Sequence, residues 1–490
     1  MELLRKIINI FIPARGNQLH IADISFDQKI RKISIQTKAP IEWEEIRTKA
    51  GWQRFQKKHS NKKANFGSEN PDNSFLLLIP GAIDPHVHFD TPGFEFREDF
   101  EHASLAAAYG GTTTVIDMPC TSIPPVTTLE NLQKKETALQ ERSWIDYLFW
   151  GGVAGNDLAA GKNVQQQIRG VAGAGVAGFK AYLISGMETF TALTLPQMEQ
   201  VARWIKPTGL PLAVHAEDKK MVESRRTRMQ KIGKNDWCGY YFARDERAEA
   251  MAVIQMINIA RKTGCRIHIV HLSSEFGLEL VRHAHQEGLP VTAETCPHYL
   301  YFTRDDFENP EIANYLKTAP PVKTEFDRGA LWKGLANGTL SFVTTDHAGC
   351  NPEMEKVSDN FWEVYGGFPG VEHRVPFLFS EGFLKNRLTL QQTVDLLSTN
   401  AAKFFSLFPQ KGSLEPGADA DFTLVNLWEG MTVRAAEMHS KGKFTPFEGV
   451  RFGARVERTY LHGKVVTDRE GKSEVKLGYG QFLIPPLKGD

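Results

Sequence analysis

Strand-like apolar runs and helix-like segments alternate with a regular beat through the middle of this chain. Runs bounded by glycine or proline fall at 75–83, 112–118, 144–150, 178–183, 211–214, 266–272, 290–295 and 340–345. Between them the spacing of apolar residues is helical, most plainly over 129–141 and 244–262, and over 330–336 with Gly338 just beyond as a stop. A last amphipathic helix is predicted over 388–408. Eight β–α alternations predict a parallel sheet. A closed (β/α)8 barrel is the natural eight-fold solution; a doubly wound open sheet is the alternative that pattern alone leaves standing.

The two ends of the chain follow a different rhythm. Short alternating strands are predicted within 4–35, 421–427 and 456–467, with turns at Pro416-Gly417 and His462-Gly463. Neither end is long enough for a large core of its own. The expectation is therefore one small discontinuous β domain, residues 1–75 with 413–490, beside a barrel spanning 76–412. Residues 40–74 are rich in Lys and Asn and show no period, and read as an inserted surface segment.

Composition narrows the function classes. Lys+Arg and Asp+Glu both total 58, so the net charge is zero. That argues against a broad electrostatic footprint for nucleic acid or an anionic membrane. No run of about 18 apolar residues occurs, so no membrane span is expected. The five cysteines include no CxxC pair, which predicts neither a disulfide framework nor a thiolate zinc site and fits a reducing, cytoplasmic compartment. The N-terminal apolar stretch is short and lacks a small-residue cleavage site; it reads as a first strand rather than a signal peptide.

The chemistry concentrates at strand ends. His86-Val87-His88 closes the first run, and in an extended chain residues i and i+2 face the same side. A lone HxH is as easily a pair of exposed loop histidines. However, His215 ends the fifth run, His271 the sixth and Asp346 the eighth. Structural histidines have no reason to choose that end each time, whereas barrel enzymes build their sites there. Lys180 ends the fourth run. An ammonium beside cations would be repelled, but a desolvated, neutral amine can add carbon dioxide and become a metal-bridging carbamate. Taken alone, Lys180 reads more simply as a salt-bridged barrel lysine.

With these residues in place, the sequence resembles the cyclic amidohydrolases, a group that includes allantoinase, dihydroorotase and hydantoinase. The resemblance rests on Pro80-Gly81-Ala82-Ile83-Asp84-Pro85-His86-Val87-His88, Gly178-Phe179-Lys180, Val214-His215-Ala216-Glu217, Ile269-Val270-His271-Leu272, Glu294-Thr295-Cys296-Pro297-His298 and Thr344-Thr345-Asp346, in order over about residues 76–470. It implies an α/β fold: a distorted (β/α)8 TIM barrel with a small discontinuous β-sandwich. It also implies two divalent cations, zinc first, with manganese, iron or cobalt as alternatives. His86, His88 and Asp346 would hold the more buried one, and His215 and His271 the other. N6-carboxylated Lys180 would bridge both. A water held there would have its pKa lowered from about 15.7 towards about 7, and Asp346 would shuttle its proton to the leaving nitrogen. Tetramers are common in the family, which implies a homo-oligomer, tetramer or dimer.

The substrate is read from departures within the family. Asp90 stands where dihydroorotases usually carry an arginine that grips the substrate carboxylate, and it would repel that group. Ser185 replaces the tyrosine typical of hydantoinases, while stretches such as Asp117-Met118-Pro119-Cys120 and Phe361-Trp362-Glu363-Val364-Tyr365-Gly366-Gly367 look allantoinase-like. An uncharged ureide or hydantoin-type ring is the expected small-molecule substrate, with Asp90, Ser273, His298 and Gly367 of the 366–370 loop lining its pocket. Dihydroorotase, dihydropyrimidinase or hydantoinase activity is the alternative. A catalytically inactive interaction homologue, or a barrel hydrolase acting on esters or deaminating a base, is the reading from outside the group.

Overall fold

A computed structural model describes residues 4–59 and 75–485. Eight parallel strands form its centre: Ala82–His88, Thr112–Asp117, Asp146–Phe149 continued by Gly151–Gly152, Phe179–Tyr182, Leu212–His215, Ile267–Ile269, Val291–Thr295, and Phe342–Val343 continued by His347–Ala348. Each pairs in parallel with the next, and the eighth returns to the first through His347 opposite Val87. The third and eighth strands are interrupted, so the ring consists of two arcs joined by chain continuity. At the second interruption Thr344 N donates to Thr295 O (2.9 Å) and Asp346 N to His86 O (3.0 Å), carrying the ladder from the seventh strand to the first. The fold is the (β/α)8 barrel that the alternation predicted, with the distortion that the family resemblance implied.

The seam between eighth and first strands is locked from below. Arg374, fully buried, donates from Nη1 to the carbonyls of Ile83 and Val343, both at 2.8 Å. Thr345 Oγ1 donates to Asp84 Oδ2 at 2.6 Å. Near the other interruption the barrel splays, and the tail fills the gap: Tyr147 N donates to Gln481 O, and Phe482 stacks on Phe149. The outer helices begin where short polar side chains cap them, as Asp99, Thr128, Asn163, Asp245, Ser274 and Thr324 do. The last helix, expected as one unbroken stretch, carries a π segment at Asp395–Thr399 between Leu390–Val394 and Asn400–Phe404.

The chain ends build one further sheet. Its path runs Lys464–Asp468, Arg455–Leu461, Phe422–Asn426, Leu76–Pro80, Arg5–Pro13, Gln18–Phe26 and Ile30–Ile35, with Ile41–Glu42 beside Gln18–Phe26. Phe26 and Phe422 lie on strands separated by two others, yet their rings are 5.2 Å apart. Neighbouring strands are spaced by about 4.8 Å, so a flat sheet would hold those rings far apart. The sheet folds over itself and encloses Ile24, Leu78, Phe422 and Leu424 on one face, while Phe11, Leu77 and Ile79 on the other join the barrel core.

Two sequence expectations change here. The run at 75–83 is not the first barrel strand. Leu76–Pro80 pairs antiparallel with Phe422–Asn426 in the small sheet, and the barrel strand begins only after Gly81. Every residue from Phe75 to Asp90 is buried, so no polar break marks the change of sheet. The 40–74 segment is not a featureless surface insertion in its first half. Trp43–Ile46 and Lys49–His59 are helical, and Trp43 and Trp52 pack on Phe75 at 5.4 Å and 5.9 Å. Its remainder, 60–74, lies outside the described residues.

Candidate active site

The strand register carries the polar residues to one rim. His86 and His88 point the same way from the end of the first strand, and Asp346 meets them across the seam. His86 Nε2 and His88 Nε2 lie 3.1 Å and 3.2 Å from Asp346 Oδ1. One nitrogen or oxygen from each falls within 4.8 Å of the others, the spacing of donors around a single cation. His271 and His215 adjoin them: His215 Nδ1 is 3.0 Å from His271 Nε2, and the His271 ring lies 5.5 Å from that of His86. Lys180, on the strand beside Leu212–His215, is fully buried, and its amine has no hydrogen-bond partner among the described residues. All six side chains expected at the centre are therefore gathered at one end of the barrel.

Strain marks the same place. Asp90, His271 and Asp346 adopt left-handed backbone conformations, with φ of 56°, 41° and 50°. Such geometry costs roughly 1–3 kcal/mol per residue and survives only where surrounding structure enforces it.

Electrostatics differ across the site. Burial raises the Asp346 carboxyl, but the His86 imidazole and hydrogen bonds with His86 and His88 outweigh it and hold it well below the usual range. Burial drives His271 well below an ordinary histidine, helped by neighbouring His215. It also pulls Lys180 down against the opposing pull of Cys120, Asp346 and Glu294, which favours the neutral, nucleophilic amine. Burial brings His298 to about 4.

The pocket residues named from sequence separate into two groups. Asp90 is buried with Oδ2 unpartnered, and burial pushes its carboxyl well above the usual range. His298 Nε2 is likewise unpartnered, and its ring meets Phe368 edge-on at 5.3 Å. Gly367, with φ 137°, leaves no room for a side chain: a Cβ there would sit 2.8 Å from that of Ala348. Ser273 is different. Its hydroxyl and its N–H both donate to Glu249 Oε1, at 2.8 Å and 2.9 Å. Ser185 donates to Phe190 O at 2.8 Å and shapes a turn.

Sequence reasoning missed the carboxylates behind the imidazoles. Glu294 accepts from His86 Nδ1 and also lies 3.0 Å from His268 Nε2. Glu217 Oε2 lies 2.8 Å from His215 Nε2 and accepts from Arg244. Such partners fix the tautomer and orientation of ring nitrogens. Their signal was available as acids on buried strand ends, in Glu294-Thr295 and His215-Ala216-Glu217.

A ring of parallel strands with imidazoles, a carboxylate and a buried lysine at its C-terminal rim defines a metal-dependent barrel hydrolase. More specifically, the chain belongs to the amidohydrolase family, whose model matches residues 77–466. It is 36% identical over 422 residues to an allantoinase of Rubrobacter xylanophilus, covering 85% of this chain and 89% of that one. It is 32% identical over 412 residues to an L-hydantoinase of Paenarthrobacter aurescens, covering 83% and 87% respectively. Among solved structures, the L-hydantoinase (dihydropyrimidinase) from Arthrobacter aurescens superposes with a TM-score of 0.84 at 28% identity, over 98% of this chain and 99% of that one. No helix among the described residues is long and apolar enough to cross a membrane.

Proposed function

We propose that this enzyme opens a cyclic amide by adding water across a ring C–N bond, with an uncharged ureide or hydantoin-type ring as substrate. The observation that carries the reading is the convergence of four imidazoles and Asp346 beside a buried lysine amine with no partner. An orphaned amine in that setting fits a carbamate: the neutral nitrogen bonds to the carbon of carbon dioxide and releases one proton, so an uncharged group becomes an anionic one. The donor set of imidazole and carboxylate suits zinc, manganese, iron or cobalt. His86, His88 and Asp346 would hold one ion, His215 and His271 a second, and carboxylated Lys180 would bridge them. Bound cations would polarise the ring carbonyl and make water acidic enough to ionise near neutrality.

The side chains divide the remaining work. Asp346 is held in the ionised form and lies 3.1 Å and 3.2 Å from His86 and His88, so it is placed to take a proton from the attacking water and deliver it to the departing ring nitrogen. Glu294 and Glu217 keep His86 and His215 oriented throughout. Asp90 offers an unpartnered carboxyl oxygen to a ring N–H. The relatives named allantoinase and hydantoinase support the same substrate class.

The test is a hydrolysis panel of allantoin, hydantoin, dihydrouracil and dihydroorotate with manganese- or zinc-loaded enzyme. Turnover of allantoin or hydantoin is expected. Turnover of dihydroorotate alone overturns the substrate assignment. Carbon-13 bicarbonate should label Lys180, and an unlabelled lysine in active enzyme removes the carbamate.

A further inference from the structure

Two buried lysines outside the donor set grip one loop. Lys317 and Lys356 are 4% and 3% exposed, and neither makes an ion pair among the described residues. Lys317 Nζ donates to the carbonyls of Phe361 and Val364, and lies 4.8 Å and 5.2 Å from the ring centroids of Tyr240 and Phe361. Lys356 Nζ donates to the carbonyls of Asn314 (3.0 Å) and Tyr365 (2.8 Å), near the ring of Phe444. Asn314 Nδ2 returns a bond to Lys356 O at 2.8 Å. The segment 314–317 and the loop 356–365 are thus pinned to each other from both sides.

The pinned loop leads directly into Gly367 and Phe368, beside the candidate site. Gly367 N donates to Lys317 O at 2.9 Å, so one lysine holds the loop by its side-chain amine and by its backbone. Ala348 N, two residues beyond Asp346, donates to Phe368 O at 3.1 Å, and the Phe368 ring abuts His298. Burying an amine is costly, enough to bring Lys317 down to about 7 and Lys356 to about 8, and an apolar side chain would fill the space at lower cost. What the amine adds is direction, because it donates to two carbonyls at once.

We propose that Lys317 and Lys356 are positioning residues that set the pocket wall at 361–368 and thereby decide which rings the site accepts. This rests on the hydrolase reading above. The test compares wild type with Lys317→Met and Lys356→Met in the metal-loaded enzyme, by hydrogen–deuterium exchange and by kinetics on hydantoin and a bulkier 5-substituted hydantoin. Exchange should rise over 356–368 and stay unchanged elsewhere. KM for the preferred ring should rise about tenfold with kcat little altered, the signature of lost binding geometry, and the preference between the two rings should narrow. Unchanged exchange in the loop overturns the proposal. So does exchange that rises across the whole barrel with both substrates affected alike, which makes the lysines merely structural. If one variant does not fold, the other carries the same test. Should wild type hydrolyse no cyclic amide, the functional reading fails, while the exchange data still judge the loop.

Discussion

The two ends of this barrel each bury a cluster of ionisable groups, and they treat them in opposite ways. Away from the catalytic rim, Lys411 is 3% exposed and lies 2.5 Å from Asp146, 2.6 Å from Asp421 and 3.0 Å from Asp419. His462 Nε2 and Gln481 N also reach Asp146, and Lys29 pairs with Asp419. Charges there answer one another and tie the third barrel strand to the small sheet. At the rim, Lys180 Nζ, His271 Nδ1, His298 Nε2 and Asp90 Oδ2 have no hydrogen-bond partner among the described residues, and three residues have strained backbones. Buried polar groups are ordinarily satisfied. A cluster that closes on itself holds the fold, and one that does not is built around something else.

Asp346→Asn should break the rim most severely. The amide keeps the shape but cannot accept the water's proton, and turnover should fall by up to about 10⁴-fold. The unfolding curve should superimpose on that of wild type. Near wild-type kcat in this variant would remove Asp346 from proton transfer.

Lys411→Met is the counterpart at the other end. Three buried carboxylates lose their shared cation, and removal of one partner from such a set costs about 3–5 kcal/mol. The pH dependence follows from Asp146, whose carboxyl burial raises but Lys411 and His462 bring down to about 2. A folded value below the unfolded value of about 3.9 stabilises the fold fully above pH ~4, and the gain fades as pH falls through about 2. The deficit of the variant should therefore shrink in acid, read by urea unfolding at several pH values. Activity per folded molecule should be unchanged; a deficit under about 1 kcal/mol would make the cluster incidental.

Glu217→Gln tests the support behind the rim. Glu217, fully buried, touches His215 and Arg244, and its carboxyl is raised by burial yet held at about 2 by Arg244 and His215. Loss of an outer carboxylate typically lowers metal affinity about 10–100-fold, which a chelator competition reads directly. Unaltered affinity would make the Glu217–Arg244 pair a matter of packing alone.

How much of this was legible depends on where each partner lies along the chain. His86 and His88 were visible because period two sends both to one side, and His215, His271 and Asp346 because each ends an apolar run. Lys180 needed the family resemblance, since burial and a missing partner cannot be seen in one strand. Glu294 stayed hidden as a partner because its contact with His86 spans 208 positions. The boundary at Gly81 was invisible because apolar residues face both sheets without a break. Trp43 and Trp52 were masked by the lysines around them, although their aromatic surface anchors the segment to Phe75.

Ser273 is where the rule drawn from the two clusters can be tested at its smallest effect. Its sequence position, two residues after His271, predicts a pocket residue, whereas its hydroxyl is committed to Glu249 Oε1. Glu249 retains bonds from Ser273 N and Ser274 Oγ when that hydroxyl is removed. Ser273→Ala should therefore cost about 1 kcal/mol of stability, the net value of one hydrogen bond, and leave KM unchanged. A raised KM with unaltered stability would mean that a satisfied side chain can still meet the substrate. The distinction between closed and open clusters would then fail at the site it was meant to explain.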